Sequence, residues 1–203
     1  MRKIFTLLFA IACLSSCVDI ESRLAIRRDG SGTLTLTYRI SRQVADLGRT
    51  AGDAPSVPLP VEREDFVRAL TGAQGVSLAS FRRSQDNDKV TISAVLAFTS
   101  LEALARIDAF RELEPRLEAS GSRRTLSVLV AKAAEQPASE DSLKMIDEMF
   151  EGRAVTWIVQ APSRIQSSPP GARLSTDGRT LTWTSTMREL VQRTEDLILT
   201  MSW

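Results

Sequence analysis

Alternation of apolar and polar side chains, starting at residue 20, limits the fold of this chain more than any other feature. The first alternating run places on one face Ile20, Ser22, Leu24 and Ile26. After Asp29-Gly30-Ser31-Gly32 the second run places on one face Leu34, Leu36, Tyr38 and Ile40. A period of two is typical of a strand with one buried face. Asp-Gly between two such runs predicts a β-hairpin, because glycine accepts the positive φ that tight turns need.

The rest of the chain repeats this theme of paired strands and intervening helices. Further strand pairs are predicted at 76–83 with 89–98, and from about 117 through Gly121-Ser122 to 131. Helices are predicted at 60–70, after Ser100 and from Ser139 to Gly152, since serine caps helix starts and glycine ends helices. The last fifty residues indicate strands at 154–160, 173–175, 180–184 and 197–203, with a short helical turn at 187–191. This order predicts an α+β fold, a largely antiparallel sheet built of hairpins with helices packed mainly on one face.

One segment, 49–60, has no periodicity and contains three prolines. Loops of this length within a compact domain are uncommon, and they are often functional or disordered. Two interpretations stay open, a lid over a binding pocket and a connector without regular structure.

The N-terminus has the features of a bacterial lipoprotein signal peptide. Arg2 and Lys3 precede an apolar run from Ile4 to Leu14, which is about half the roughly 20 residues that a membrane-spanning helix needs. Leu14-Ser15-Ser16-Cys17 follows, and it resembles the lipobox at which such a signal is cut. The alternative is an ordinary secretory signal with a cysteine nearby by chance. We expect 1–16 to be removed and Cys17 to carry acyl chains as the first mature residue.

A lipoprotein signal peptide implies where the mature domain begins and where in the cell it is located. Residues 17–203 are expected to form a single α+β domain, tethered to a membrane of the bacterial cell envelope and facing the periplasm or the exterior. The predicted hairpin starts three residues after Cys17, so the domain is expected to sit close to the bilayer. Which membrane holds the anchor is left open.

Composition excludes several classes of function. Without Arg2 and Lys3 the chain has 24 basic and 25 acidic residues, which gives no reason to expect nucleic acid as a partner. The sequence contains no histidine, and Cys13 and Cys17 are its only cysteines. Histidine-dependent catalytic triads, histidine metal sites and cysteine nucleophiles are therefore not expected. No Ser-x-x-Lys or glycine-rich phosphate loop occurs. We expect a non-catalytic protein without a cofactor or a bound metal.

Aromatic strand residues are the candidates for ligand binding. Trp157, Trp183 and Tyr38 lie within predicted strands, as does Trp203 at the end of the chain. Tryptophans of this kind can line a pocket for acyl chains or sugars, although they are more often part of a hydrophobic core. Core packing is the favoured interpretation, and a cavity near Trp157 and Trp183 is the functional alternative.

Three arginine pairs flank predicted hairpin turns. Arg27-Arg28 and Arg82-Arg83 each end a strand, and Arg123-Arg124 follows a turn. If these turns shared one edge, the arginines would form a basic rim suited to lipid phosphate or a polyanionic glycan. The favoured alternative is that they are solvated hairpin ends, since the net charge is close to zero.

Together these features resemble a known family. The lipobox cysteine, the Asp-Gly-Ser-Gly turn, the strand into Tyr38, the closing Leu181-Thr182-Trp183 and the final Trp203 are similar to the bacterial LppM-type lipoprotein domain of unknown function. Members usually have a membrane anchor, either N-terminal lipid or a C-terminal helix, and this sequence lacks the helix. The resemblance implies an α+β fold with a lipid-accommodating interior, and it transfers no catalytic residue.

The expected function is therefore non-catalytic binding at a membrane. The favoured hypothesis is an anchored lipoprotein that binds a lipid or another amphiphilic envelope component. The alternative is a scaffolding or assembly lipoprotein that docks a protein partner through an exposed sheet edge.

Overall fold

The computed structural model describes residues 19–42, 45–46, 60–111, 113–134, 138–150 and 154–203. The predicted signal peptide, Cys17 and residues 49–59 of the aperiodic segment lie outside the described residues.

Ten strands in the described part form two sheets. Their bounds are β1 Asp19–Ile26, β2 Gly32–Ser41, β3 Val76–Gln85, β4 Lys89–Phe98, β5 Arg116–Ser120, β6 Arg123–Ala131, β7 Val155–Gln160, β8 Arg173–Leu174, β9 Thr180–Ser185 and β10 Leu197–Ser202. The larger sheet has seven strands in the order β3-β4-β2-β1-β7-β9-β8, and the smaller has three in the order β10-β6-β5.

Short helices connect the strands. In the described residues they are α1 Arg63–Ala69, α2 Leu101–Ala105, α3 Asp108–Arg111, α4 Glu140–Phe150 and α5 Met187–Val191. The longest, α4, has eleven residues. No helix in these ranges is long and apolar enough to cross a bilayer.

The hairpin predicted at the start of the domain is confirmed. β1 and β2 pair antiparallel from Asp19 opposite Arg39 to Ile26 opposite Gly32. In the turn, Asp29 Oδ1 accepts a hydrogen bond from the Ser31 main-chain N–H at 3.0 Å, and Gly30 has a φ of 84°. A Cβ at Gly32 would lie 2.1 Å from the carbonyl oxygen of Ala25, so the close approach of the two strands requires glycine there.

β1 has a second neighbour that is distant in sequence. It pairs with β7 in parallel, with Ile20 opposite Val155 and Ser22 opposite Trp157. Every other strand pair in the described sheets is antiparallel. This one parallel pair joins the two hairpin-built parts of the larger sheet and places the start of β1 beside the start of β7.

One face of the larger sheet is apolar and is covered by two kinds of element. Phe66 of α1 is buried against it, with its ring 5.6 Å from the ring of Phe81 on β3. Leu101 and Leu104 of α2 belong to the same core. The smaller sheet contributes to this core as well, through Leu126, Val128, Leu199 and Met201.

The fold class predicted from the sequence, a mainly antiparallel α+β fold, is confirmed. The covering layer differs in composition from the expectation, because part of it is the three-stranded sheet. The alternating residues of β6 give that sheet an apolar face of its own, which is buried by packing against the larger sheet.

Candidate ligand-binding groove

An open groove of about 520 Å³ lies beside the first residues of β1 and β7. The end of β6 and helix α5 form its other walls. Its apolar lining includes Ile20, Val130, Val155, Trp157, Leu190 and Val191. We refer to this feature as the groove.

Strand register produces the floor of the groove. Ile20 and Ser22 alternate with outward-facing residues on β1, and they pair with Val155 and Trp157 on β7. Directly paired residues of neighbouring strands project on the same side of a sheet, so these four side chains share one face. The parallel pairing of β1 with β7 is therefore what assembles the floor.

Helix α5 is fixed in place as a wall. The hydroxyl of Thr186 accepts the Glu189 main-chain N–H at 3.1 Å, and Glu189 Oε2 accepts the Thr186 main-chain N–H at 2.9 Å. This is a capping box, which satisfies two unpaired N–H groups at the helix start. Arg188 Nε also donates to Asp147 Oδ1 of α4 at 2.8 Å, and this hydrogen bond lowers the pKa of the Asp147 carboxyl.

The dimensions and chemistry of the groove suit a small apolar ligand. Its volume lies within the roughly 300–1,000 Å³ that is usual for small-molecule sites. Of the described residues that line it, two are polar, Ser22 and Lys132. An apolar ligand would be stabilised by about 25 cal/mol for each Å² of surface removed from water. The volume and the described lining of the groove are therefore those of a site for an apolar ligand.

The two candidate tryptophans have different environments. Trp157 and Trp183 lie opposite each other on β7 and β9, but only Trp157 lines the groove. Trp183 is 8% exposed and borders a separate polar depression with Glu189 and Arg193. The space between the two sheets beside Trp157 is only about 10 Å³, so that interface is packed. The cavity expected near both tryptophans is thus an open groove beside Trp157, while Trp183 and the buried Trp203 belong to the core.

Tyr38 lies outside the groove lining. Its side chain is 3% exposed, and its hydroxyl donates a hydrogen bond to the carbonyl of Pro60. Burial raises the pKa of the Tyr38 phenol, and the nearby Asp65 carboxylate raises it further. Tyr38 therefore links Pro60, the last residue of the aperiodic segment, to β2 by a hydrogen bond. Tyr38 itself pairs with Ile20 of the neighbouring strand β1. Residues 49–59 of that segment, proposed as a lid or a connector, are outside the described residues.

The structure does not bring the three arginine pairs to one edge. Arg27 and Arg28 follow β1 at the end where Ile26 pairs with Gly32. Strand β4 shows how far Arg82 and Arg83 lie from that end of the sheet. Gly32 pairs with Phe98 of β4, whereas Arg83 pairs with Ile92 of β4. Six residues along β4 separate these levels, or roughly 20 Å at about 3.4 Å per residue. Arg123 and Arg124 begin β6 in the smaller sheet.

The side chain of Arg83 contacts other residues of the domain. Its Nε lies 3.4 Å from Glu62 Oε1, close enough for an ion pair but not aligned as a hydrogen bond. Its NH1 group donates to Gln85 Oε1 at 3.2 Å. Arg83 therefore ties β3 to the start of α1 and is not displayed for binding.

Sequence reasoning missed most of the groove. Val130, Leu190 and Val191 carry no pattern that separates a groove wall from a core face. Ser22 did carry a signal, because it is a polar residue on the apolar face of an alternating strand. Lys132 is charged and directly follows β6, which by itself is typical of any solvated strand end.

Three comparisons with known proteins complete the description of the site. No family model matches the sequence, and no curated protein matches it. Among solved structures, the NMR structure of the folded domain of the LppM protein from Mycobacterium tuberculosis is similar. That similarity covers 93% of this chain and 90% of that chain, with 12% sequence identity and a TM-score of 0.48. At this level it assigns the chain to no family and gives no residue a role.

Proposed function

We propose that this protein is an envelope lipoprotein, tethered through Cys17, whose non-catalytic domain binds one acyl chain of an amphiphile in the groove. The observation that carries the proposal is the position of Ile20. This residue lines the groove and lies three residues after the predicted lipid attachment site.

The tether would hold the groove against the bilayer. Three residues of fully extended chain span at most about 10–11 Å. The start of β1, and with it the end of the groove at Ile20, would therefore stay near the lipid headgroups. An amphiphile from the anchoring membrane would have only a short distance to travel.

Hydrophobicity alone would give such a groove little selectivity. Burial of each methylene from water contributes about 0.8 kcal/mol, but a membrane lipid is already buried in the bilayer. Moving one chain from the bilayer into the groove would exchange one apolar environment for another. Discrimination between ligands would depend on the polar lining residues and on the shape of the groove.

The sheet edges support the groove over the scaffolding alternative. Docking by strand addition requires a long, regular, free edge. β8 has two residues and β5 has five. β10 has six residues, and its pairing with β6 shifts register between Leu197 and Ile198. The pairing of β3 shifts register between Leu78 and Ser80. Short and bulged edge strands are the devices by which proteins avoid strand addition.

Leu190→Arg tests the proposal. The leucine is half-buried on α5 and lines the groove, so the substitution would place a cation where an acyl chain is to lie. With the mature lipoprotein in phosphatidylcholine vesicles, we expect lysophospholipid to change the tryptophan emission of the wild type, because Trp157 lines the groove. Leu190→Arg should weaken that response at least tenfold, because a buried unpaired charge costs several kcal/mol.

A matched control is Val67→Arg, which adds the same charge to α1 at a valine that is 52% exposed. This variant should respond as the wild type does. Equal loss of the response in both variants, or an unchanged response in Leu190→Arg, would contradict binding in the groove.

A further inference from the structure

The larger sheet has a second face, turned away from the hydrophobic core. Residues that pair directly across neighbouring strands project on the same side of a sheet, so strand register shows which residues share this face. One row across it consists of Ser80, Val95, Thr35, Arg23, Ile158, Thr182 and Arg173. The adjacent row consists of Arg82, Ser93, Thr37, Glu21, Thr156 and Thr184. We refer to these two rows as the outer face, and Ile158 is their one buried residue.

The charged side chains of the outer face are three arginines and one carboxylate. Arg82, Arg23 and Arg173 carry positive charge, and Glu21 carries negative charge. Glu21 lies 3.6 Å from Arg23, but both side chains are almost half exposed, so the attraction between them is weak. Arg82 and Arg173 have no ion-pair partner among the residues that the structure describes. The whole chain has 26 basic and 25 acidic residues, so the outer face is more positive than the chain as a whole.

The arginines are evenly spaced across the sheet. They belong to β3, β1 and β8, which are the first, fourth and seventh strands in the order of the sheet. Three strand spacings of about 4.8 Å therefore separate neighbouring arginines, which places them roughly 14–16 Å apart. A small anion could contact only one of them. A linear polyanion lying across the strands could contact all three.

Hydroxyl groups fill the intervals between the arginines. The first interval contains Ser93, Thr35 and Thr37, and the second contains Thr156 and Thr182. A hydroxyl both donates and accepts hydrogen bonds, as the hydroxyls of a sugar do. The intervals therefore suit a polymer whose charged groups are joined by sugar rings.

Apolar contact contributes little at the outer face. The exposed large apolar side chains of the described residues are Val67, Leu174 and Ile198, and none of them belongs to the two rows. Peripheral binding to a bilayer depends on buried apolar area as well as on charge. A hydrophilic polyanion therefore fits this face better than a membrane surface does.

We propose that the outer face binds a linear acidic glycan that lies across the strands. Arg82, Arg23 and Arg173 pair with its anionic groups, because a guanidinium matches the planar geometry of a carboxylate. The hydroxyls between the arginines form hydrogen bonds with the sugars. The outer face and the groove lie on opposite sides of the sheet, so this site does not depend on the proposed binding of an acyl chain.

The probe is fluorescently labelled polygalacturonate, which has a carboxylate on every sugar, and the matched control is its neutral methyl ester. Each is added to the mature lipoprotein in phosphatidylcholine vesicles, which carry no net charge. The fraction that sediments with the vesicles is then measured. We expect retention of polygalacturonate and none of the methyl ester, and the retention should fall as salt is raised because exposed charges are screened.

Arg82→Gln and Arg173→Gln should each weaken retention of polygalacturonate about two- to fivefold, as expected for one exposed ion pair. Glu21→Gln should strengthen it by a similar factor, because this variant removes the one carboxylate of the outer face. Thr37→Val keeps the shape of the side chain without its hydroxyl and should weaken retention about fivefold. Arg63→Gln removes an exposed arginine from α1, on the other side of the sheet, and should change nothing.

Equal retention of polygalacturonate and its methyl ester by the wild type would overturn the proposal. Equal losses in Arg63→Gln and Arg82→Gln would overturn it as well, because the position of the charge would then not matter. Unchanged retention in Thr37→Val would overturn contact with the sugars. Separate phosphatidylglycerol vesicles that bind through Arg82, with no retention of polygalacturonate, would replace the glycan by a membrane surface. The lysolipid response of the groove should be the same in all these variants, so failure of this site and failure of the proposed function can be distinguished.

Discussion

Replacing Cys17 by alanine is expected to leave a full-length precursor that carries no lipid. The acyl chains need the cysteine sulfur for the thioether bond, and the lipobox is cut only in front of a modified cysteine. Each methylene buried in a bilayer contributes about 0.8 kcal/mol, so two or more chains hold a protein stably, and without them only the uncut apolar signal can hold the precursor at the membrane. Intact-mass spectrometry would show both the missing lipid and the uncut signal.

Cys13→Ala is the matched control for this experiment. It removes the other cysteine of the chain, from within the apolar run, and leaves Leu14-Ser15-Ser16-Cys17 unchanged. The control should be processed and lipidated as the wild type is. Finding no lipid on Cys17 in the wild-type protein would contradict both the anchor and the location inferred from it. The Cys17→Ala precursor could also stay with the membrane through its uncut signal. That result would not contradict the anchor, because the precursor would still carry no lipid.

Local features of the fold could be predicted from the sequence. The β1–β2 hairpin needs only alternation on both sides of Asp29-Gly30, and both signals lie between Asp19 and Ser41. Ser100 predicts helix α2, and its hydroxyl accepts the Ala103 main-chain N–H at 3.2 Å. In each case the contacts that determine the structure are close in sequence, so the pattern contains them.

Long-range pairing could not be predicted in the same way. The parallel pairing of β1 with β7 joins Ile20 to Val155, and alternation says nothing about which distant strand becomes a neighbour. The same limit applies to the smaller sheet, in which β6 pairs with β10 at the end of the chain. It also explains why the arginine pairs could not be placed, because their separation depends on strand order and register.

The candidate site depends on this long-range pairing more than the fold class does. Trp157 was identified from its residue type, but its role differs from that of Trp183 only because one side chain faces α5 and the groove while the other is buried. Ser22 was visible in the sequence as a polar residue on an apolar face. Its place in the groove depends on the pairing of β1 with β7, which sets Trp157 opposite it, and Trp157 is far from it in sequence.

The clearest stability difference is expected between the two paired tryptophans. Trp183→Ala should lower the free energy of unfolding by about 3–5 kcal/mol, the usual cost of truncating a large buried aromatic residue. That is at least about a fifth of the roughly 5–15 kcal/mol that stabilises a typical domain. With a urea dependence of about 2 kcal/mol per molar, the midpoint of urea unfolding should fall by about 2 M. Circular dichroism of the vesicle-bound protein would measure it.

Trp157→Ala is expected to destabilise the domain less than Trp183→Ala. Trp157 is half-buried and one side of it faces an open groove, so its removal leaves a wider groove and not a sealed cavity. The cost of a truncation depends on the volume of the cavity that remains, and we expect about half the loss seen for Trp183. The lysolipid response should nevertheless disappear in Trp157→Ala, because this variant lacks both the contact and the reporter. Equal destabilisation by the two variants would mean that Trp157 is a core residue, and it would remove the apolar floor on which ligand binding depends.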